Sequence, residues 1–397
     1  MLEPDSDPVV VVSGARTAIG SYARSFSHTP AHELGAAAIR EALVRGGVGN
    51  DEVGEVVMGC VGQVGPDAFN ARRAALAAGL SVSTPALNVN RLCGSGLQAV
   101  WSGATEILTR QSDIVVAGGN ENMSMQPFLD YGARDGYRLH DRVLIDGTLS
   151  LVTDPWGDYP MGVTAERVAT RFKVSRQEQD LFALRSQQRA TKAVDAGLFD
   201  PEVVPVPVVE GRNERLVTRD EHPRADVSLE KLAALRPVFV EDGSVTVGNS
   251  SGINDAGVAL VLMRESVSRA RGNTPFGRLR SFSKAALEPD IMGYAPTIAI
   301  RRVLERAGLS VGDIGVVELN EAFAAQAIAV IRDAGLNEET VNPNGGAIAL
   351  GHPIGATGAI LTLKLLHEMQ RTQSEWGLVT MCIGGGQAVA GVFQAIS

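Results

Sequence analysis

NRLCGSGLQAV at residues 90–100 and LGHPIGATGAI at 350–360 decide how this chain reads. Each sets a reactive side chain, Cys93 or His352, in a glycine-rich turn just ahead of an apolar run. After Gly96, Leu97, Val100, Trp101, Ala104, Ile107 and Leu108 recur at i, i+3, i+4, the apolar stripe of a helix packed on one face. The residues further out match too. EVVMG (55–59) parallels GVVELN (315–320), and DIVVAGG (113–119) parallels WGLVTMCIGGG (376–386); each of the three pairs lies about 260 residues apart. Short β-branched runs alternating with Ala-rich helical patterns imply a layered α/β sheet. The same order occurring twice implies a duplicated α/β unit with a pseudo-twofold axis between its halves. Two unrelated α/β halves are the other arrangement this pattern allows.

Around these motifs the periodicity predicts strands at 9–13, 53–58 and 113–117 and helices at 32–45 and 71–78, with 87–91 leading into the helix after Gly96. From 122 to 248 the pattern changes to scattered charges, several prolines and one long helix. That helix opens at Ser175 with a capping box closed by Glu178 and runs towards Gly197. The stretch reads as an insertion or a separate loop-rich domain. The last third resumes the alternation. Pro296 suits the first position of a helix ending near Gly308, followed by a strand at 314–319, helices at 321–333 and 354–369, and a strand at 378–382.

Composition narrows the class. A chain of 397 residues, 45% hydrophobic and 20% charged, is an ordinary globular composition with room for two or three domains. The net charge of −9 disfavours a nucleic-acid or anionic-membrane binder while allowing a local basic patch. No apolar run approaches ~18 residues, so no membrane span is expected. The acidic stretch 1–8 has neither a basic nor an apolar targeting region, and Ala395-Ile396-Ser397 is not a peroxisomal address. Three cysteines make no disulfide framework and are too far from paired histidines for a zinc site. A reducing, cytoplasmic setting without bound metal is expected. Glycine, at 44 residues, exceeds the usual ~7% and marks places where backbone comes close to something.

Three of the unusual residues fall at equivalent turns. Cys93 precedes a helix start, where unpaired N–H groups and the macrodipole favour a thiolate; the other reading is a small buried residue in a tight turn. His352, between Gly351 and Pro353, is either a base at the matching turn or a packed imidazole. Cys382 ends a strand ahead of Gly384-Gly385-Gly386, whose N–H groups could hold an oxyanion; a buried structural thiol is the alternative. Cys60 lacks such a setting and reads as packing. The other five histidines read as surface or packing residues. No dinucleotide or phosphate-loop fingerprint follows any strand. Two cysteines and one histidine at strand–helix turns suit acyl transfer through a thioester.

The blocks NRLCGSGLQAV, GNSSGINDAG (248–257), ELNEAFAAQA (318–327), NPNGGAIALGHPIGATGA (342–359) and CIGGGQ (382–387) resemble those of thiolases, the acetyl-CoA acetyltransferases and 3-ketoacyl-CoA thiolases. SGARTAIGSYARSF (13–26) and PMGVTAERVA (160–169) agree, so the resemblance spans nearly the whole chain. It implies an α/β/α/β/α five-layered fold. The N-terminal half would be 1–121, completed by about 250–273, and the C-terminal half 274–397. A loop domain at 122–249 would bind CoA and form tetramer contacts. It further implies that Cys93 carries the acyl group, that His352 takes the Cys93 proton, and that Cys382 moves the proton of the second substrate. Asn320 would hold a water that, with His352, forms one oxyanion hole; the N–H groups of Cys93 and Gly384 would form the other. Arg224, Phe239, Ser250 and Ser251 would line the CoA path, with Met161, Met292 and Phe323 near the acyl or pantetheine end. CoA is then a co-substrate, and no permanently bound cofactor is expected. The implied partners are acetyl-CoA, acyl-CoA or 3-ketoacyl-CoA and, in a homotetramer, other copies of the chain. Fatty-acid metabolism, including β-oxidation, is the implied setting.

Departures from the family pattern concern substrate choice. Pro160 stands where acetoacetyl-specific thiolases usually carry His, Gly293-Tyr294-Ala295-Pro296 replaces Gly-x-Gly-Pro, and Trp156 is placed near the mouth. Two other readings compete. A ketoacyl-synthase-like condensing enzyme normally has His in place of Cys382 and lacks the Asn-Glu-Ala-Phe motif. A non-catalytic CoA-binding homologue has no need of Cys93, His352, Asn320 and Cys382 together.

Overall fold

The structure, a computed structural model, describes residues 7–396. Most of the N-terminal stretch read above for a targeting segment, and Ser397 of the C-terminal tripeptide, lie outside the described residues. Among those residues no helix is long and apolar enough to cross a membrane.

The first half runs β1 (Val9–Arg16), α1 (Ala31–Gly46), β2 (Glu55–Gly59), α2 (Asn70–Ala77), β3 (Ala86–Val89), α3 (Ser95–Leu108) and β4 (Ile114–Asn122). The middle segment carries α4 (Gly162–Arg171) and α5 (Arg176–Asp195), and the Ser175–Glu178 capping box forms as predicted. Only then does β5 (Asn254–Arg264) arrive. The second half follows with β6 (Gly277–Ala286), α6 (Pro296–Ala307), β7 (Val316–Leu319), α7 (Ala324–Ala334), α8 (Thr357–Thr372), β8 (Trp376–Ile383) and β9 (Gln387–Gln394).

These strands lie in the order β7-β8-β9-β6-β1-β5-β4-β2-β3. From the β1/β6 contact outward, each half repeats the same polarity. β1–β5 and β5–β4 are antiparallel and β4–β2 and β2–β3 parallel. On the other side β6–β9 and β9–β8 are antiparallel and β8–β7 parallel, and a parallel bridge from Val317 to Val341 stands where β3 stands in the first half. The repeat seen in the motifs is therefore a repeat of topology, and two unrelated halves are excluded.

Alternate residues of each strand face opposite layers, as the pleat requires. Val57, Val115, Val379 and Met381 pack with Leu97, Val100 and Ile107 of α3 and Ile360, Leu363 and Leu366 of α8. Val56, Val116 and Val261 turn the other way onto α1 and α2; Val317, Leu378 and Val392 turn onto α6 and α7. Helices α3 and α8 are thus the middle layer of an α/β/α/β/α stack. They meet through glycine. A β-carbon on Gly96 would lie 2.7 Å from the Ala359 nitrogen, and one on Gly358 would collide with the Leu97 backbone. Part of the glycine excess is thereby explained. The middle segment is tied back by Arg16, fully buried on β1, whose guanidinium donates to Glu202 at 2.7 Å and to both oxygens of Asp220 at 2.7 and 3.0 Å.

Sequence spacing and structure differ in two ways. The spacing does not reveal β5 and β9, because strands buried on both faces show no alternation to separate them from buried helix, nor β6, whose exposed Arg280 and Lys284 break the apolar pattern. Helices α7 and α8 start three residues later than their apolar spacing predicts, at 324 and 357 instead of 321 and 354. Phe323 stays extended at φ −147°. Before α8, Gly351 at φ +104° and Pro353 hold an irregular turn.

Candidate active site

Cys93 lies in the turn joining β3 to α3. Ser95 braces that turn: its hydroxyl donates to the Leu92 carbonyl at 2.6 Å and accepts from the Arg91 N–H at 2.8 Å. Leu92 is forced to φ +46°, a left-handed conformation unfavourable for a residue with a branched side chain. This elbow presents the thiol, whose sulfur meets the backbone N–H groups of Gly384 and of Cys93 itself. The sequence reading expected a thiolate here. The structure reverses it: burial pushes the Cys93 thiol up to about 11, against the lowering effect of those N–H groups, with the Glu121 charge adding a smaller push upward. The resting group is a thiol, and it needs a base.

His352 occupies the equivalent turn before α8 and is buried. Its Nδ1 is 2.7 Å from the Thr357 hydroxyl, which donates its own proton to the Pro353 carbonyl at 2.8 Å. Thr357 can therefore only accept from the ring, which puts the imidazole proton on Nδ1 and leaves Nε2 as the free lone pair. The Asn320 amide nitrogen lies 3.5 Å from that Nε2, and the His352 backbone N–H donates to Asn254 at 2.9 Å. Burial pushes the imidazole down to about 4, so it rests neutral. Asn320 is fully buried just beyond β7, and its carbonyl oxygen takes no hydrogen bond from the described protein groups.

Cys382, near the end of β8, is buried and interacts electrostatically with Cys93. Burial pushes its thiol far up. Beside it, Met161, Met292, Phe323 and Phe239 form one apolar cluster. Phe239 meets Phe323 edge-on at 6.1 Å. At Gly384 a β-carbon would come 3.0 Å from Met161, and at Gly385, φ +79°, 3.1 Å from the Trp156 indole. Glycine here lets the backbone lie close against Met161 and the indole.

Two family models match the chain end to end, the thiolase N-terminal domain over residues 9–266 and the thiolase C-terminal domain over 273–395. The chain belongs to the thiolase family. It is 49% identical to the beta-ketothiolase BktB of Cupriavidus necator, covering 98% of this chain and 99% of the relative. It is 46% identical to the acetyl-CoA acetyltransferase of Escherichia coli, with coverage of 98% and 99%. Among solved structures, the Bacillus anthracis acetyl-CoA acetyltransferase superposes with a TM-score of 0.97 at 42% identity, covering 98% of this chain and 99% of that one. Human mitochondrial 3-ketoacyl-CoA thiolase in complex with CoA gives 0.94 at 40%, covering 98% of each.

In this thiolase the residues named from sequence gather unequally. Cys93 interacts with Gly384 and with Cys382, and His352 with Asn320, whose backbone N–H donates at 3.0 Å to Thr380, two residues before Cys382. Ser251 donates its N–H to Ala322 at 3.0 Å, and Ser250 bridges Phe323 while its hydroxyl donates to Thr246 at 2.7 Å, so both border the apolar cluster. Arg224 stands apart. It is exposed on a cleft with Leu184, Thr191 and Lys192, its backbone N–H donating to Gln187 at 2.8 Å. Thr357, Asn254 and the Leu92 elbow were missed. All three lie inside quoted motifs, yet nothing in a motif's letters shows which side chain braces which backbone.

Proposed function

We propose that the chain is an acetyl-CoA C-acyltransferase. It runs the reversible Claisen condensation of acetyl-CoA with an acyl-CoA, or the thiolysis of a 3-ketoacyl-CoA, by a ping-pong mechanism through acyl-Cys93. The observation that carries this is the Gly384 N–H on the Cys93 sulfur with Cys382 interacting beside it, while the equivalent turn of the other half holds His352 with its Nε2 turned to Asn320.

The tautomer sets the order of proton movements. His352 Nε2 takes the Cys93 proton as the sulfur attacks the thioester carbon. The charge goes to the carbonyl oxygen, held by the N–H groups of Cys93 and Gly384. The carbon–sulfur bond to CoA breaks, and Cys382 gives its proton to the leaving thiolate. Cys382, now a thiolate, removes a methyl proton from acetyl-CoA. The enolate oxygen faces the Nε2–H that His352 gained from Cys93, and a water held by the free Asn320 oxygen. The enolate carbon attacks acyl-Cys93, the Cys93 sulfur leaves, and it recovers its proton from His352. Every proton is returned.

The test is a burst of CoA release on mixing with acetyl-CoA, with a gain of one acetyl in protein mass. A folded protein that never gains it overturns the reading in favour of a CoA-binding scaffold. Thr357 gives a second check. Thr357→Val leaves the buried Nδ1–H without an acceptor, and such a loss typically costs ~1–3 kcal/mol. The acylation rate is expected to fall about tenfold or more, while Thr357→Ser retains it.

Substrate breadth follows from Pro160, which cannot donate a hydrogen bond where acetoacetyl-specific relatives offer an imidazole. Thiolysis of longer or branched 3-ketoacyl-CoAs is expected to run within about tenfold of acetoacetyl-CoA in kcat/KM, a gap of ~1.4 kcal/mol or less. A strict preference for acetoacetyl-CoA in a chain-length series contradicts this. The division into two thiolase halves and a CoA-binding, tetramer-forming segment at 122–249, a homotetramer (dimer of dimers) and a cytoplasmic role in fatty-acid metabolism belong to the same proposal. Exposed Phe128, Tyr131 and Tyr137 support a contact through the 122–137 loop.

A further inference from the structure

Glu121 takes no part in the steps above, yet it is fully buried at the end of β4, beside the meeting point of the two halves. One carboxylate oxygen accepts the N–H of Val61 at 2.9 Å and of Gly355 at 2.9 Å; the other accepts the N–H of Gly62 at 3.0 Å and lies 3.8 Å from the Cys60 sulfur. Three segments therefore end on one side chain: β4, the loop after β2, and the turn before α8. Gly355 is three residues from His352 in that last turn. It also lies against β2, where a β-carbon on Gly59 would come 2.5 Å from the Gly355 carbonyl oxygen and 2.7 Å from the Ser95 carbonyl carbon at the start of α3. Among the described residues no cation forms an ion pair with the carboxylate. Three backbone N–H groups hold it, with the Cys60 thiol beside them, an arrangement that fixes three chain segments relative to one another more tightly than a mobile side-chain partner could.

We infer that Glu121 is a positioning residue for the reaction: its carboxylate clamps the His352 turn to the β2 loop and so fixes the imidazole relative to the Cys93 thiol. This rests on the proposed roles of His352 and Cys93. Among the described residues the titratable groups that interact with Glu121 are Cys60 from the β2 end and Cys93 from the turn before α3, and its charge pushes both thiols up. Burial raises the Glu121 carboxyl to about 7. Protonation as pH falls through 7 puts an O–H against one of the N–H donors and loosens the clamp. It also relieves the charge beside Cys93, but that is the smallest of the influences on the thiol, so loosening dominates.

The experiment compares wild type with Glu121→Gln in full-length protein, reading the rate of the acetyl-CoA burst from pH 5.5 to 8.5. The amide has one acceptor oxygen and must turn its NH2 against N–H groups. The burst rate is expected to fall ten- to hundredfold, with KM within about twofold. The wild-type decline below pH 7 is expected to disappear from the profile, because the amide does not titrate there. A Gln variant as fast as wild type, or a slow one that keeps the wild-type pH dependence, overturns the inference. Should the Gln variant not fold, Glu121→Asp decides. It keeps the charge but withdraws it by one methylene, so a slowed burst with the pH dependence retained supports the clamp, and an unchanged rate removes it. A wild-type enzyme with no burst at any pH defeats the proposed function instead, and the two failures are told apart by that control.

Discussion

Cys93→Ser is expected to lower the acetyl-CoA burst by about 10⁴-fold or more, the range seen when an activated nucleophile is replaced. The reason lies in the proton-transfer pair. The thiol stands at about 11 and its base, His352, at about 4, so a free thiolate–imidazolium pair is not the resting state. Reaction requires that the proton leave as the sulfur bonds to carbon, so that the negative charge is delivered to an oxygen already facing two N–H groups. A hydroxyl is a far weaker acid than a thiol and a poorer nucleophile, and the same neutral imidazole cannot activate it. Mass spectrometry after mixing with acetyl-CoA checks the result. A serine variant that still gains one acetyl at a comparable rate means that the acyl carrier is another residue.

Cys382→Ser is expected to separate the half-reactions. Acylation needs Cys93, His352 and the N–H groups, so the variant should still gain one acetyl. Loss of CoA from the first step loses its proton donor and slows modestly, because solvent can supply that proton. Condensation is another matter. Removing a methyl proton requires a strong base, and burial, which pushes the Cys382 thiol far up, makes its thiolate such a base once formed. Serine has no counterpart, and acetoacetyl-CoA formation is expected to fall by about 10³-fold or more. The decisive comparison is acetyl gain against condensation in the two variants side by side. If both lose the same steps, the two cysteines do not divide the chemistry as proposed.

The duplicated fold was legible in the letters because a turn that must bring a side chain to a point, and glycines that must let backbones touch, constrain residue type at each position. Cys93, His352 and Cys382 could be singled out for that reason. The acidity of the Cys93 thiol is not legible there, because a helix N-terminus is local and visible in sequence, whereas burial is the sum of distant segments and is not. The late starts of α7 and α8 escaped for a related reason. Apolar periodicity continues through Glu321–Phe323 and Ile354–Ala356, but the backbone there is bent to serve the site, through Phe323 and the Gly351–Pro353 turn. Glu121 gives no periodic signal at all. It occupies a strand position that alternation would assign to the core, and only the three-dimensional meeting of three loops shows what it holds.

The mirrored strand order has a consequence for how such a site could arise. In an ancestor built of two identical half-chains, both central turns would have carried the same residue, either two thiols or two imidazoles. Neither pair can both attack and accept a proton in the way Cys93 and His352 do. Division of labour across the axis requires two halves that differ at this turn, as Cys93 and His352 do here. The architecture is symmetric while the chemistry is not, and the glycine contact between α3 and α8 is the seam along which the two unlike halves meet.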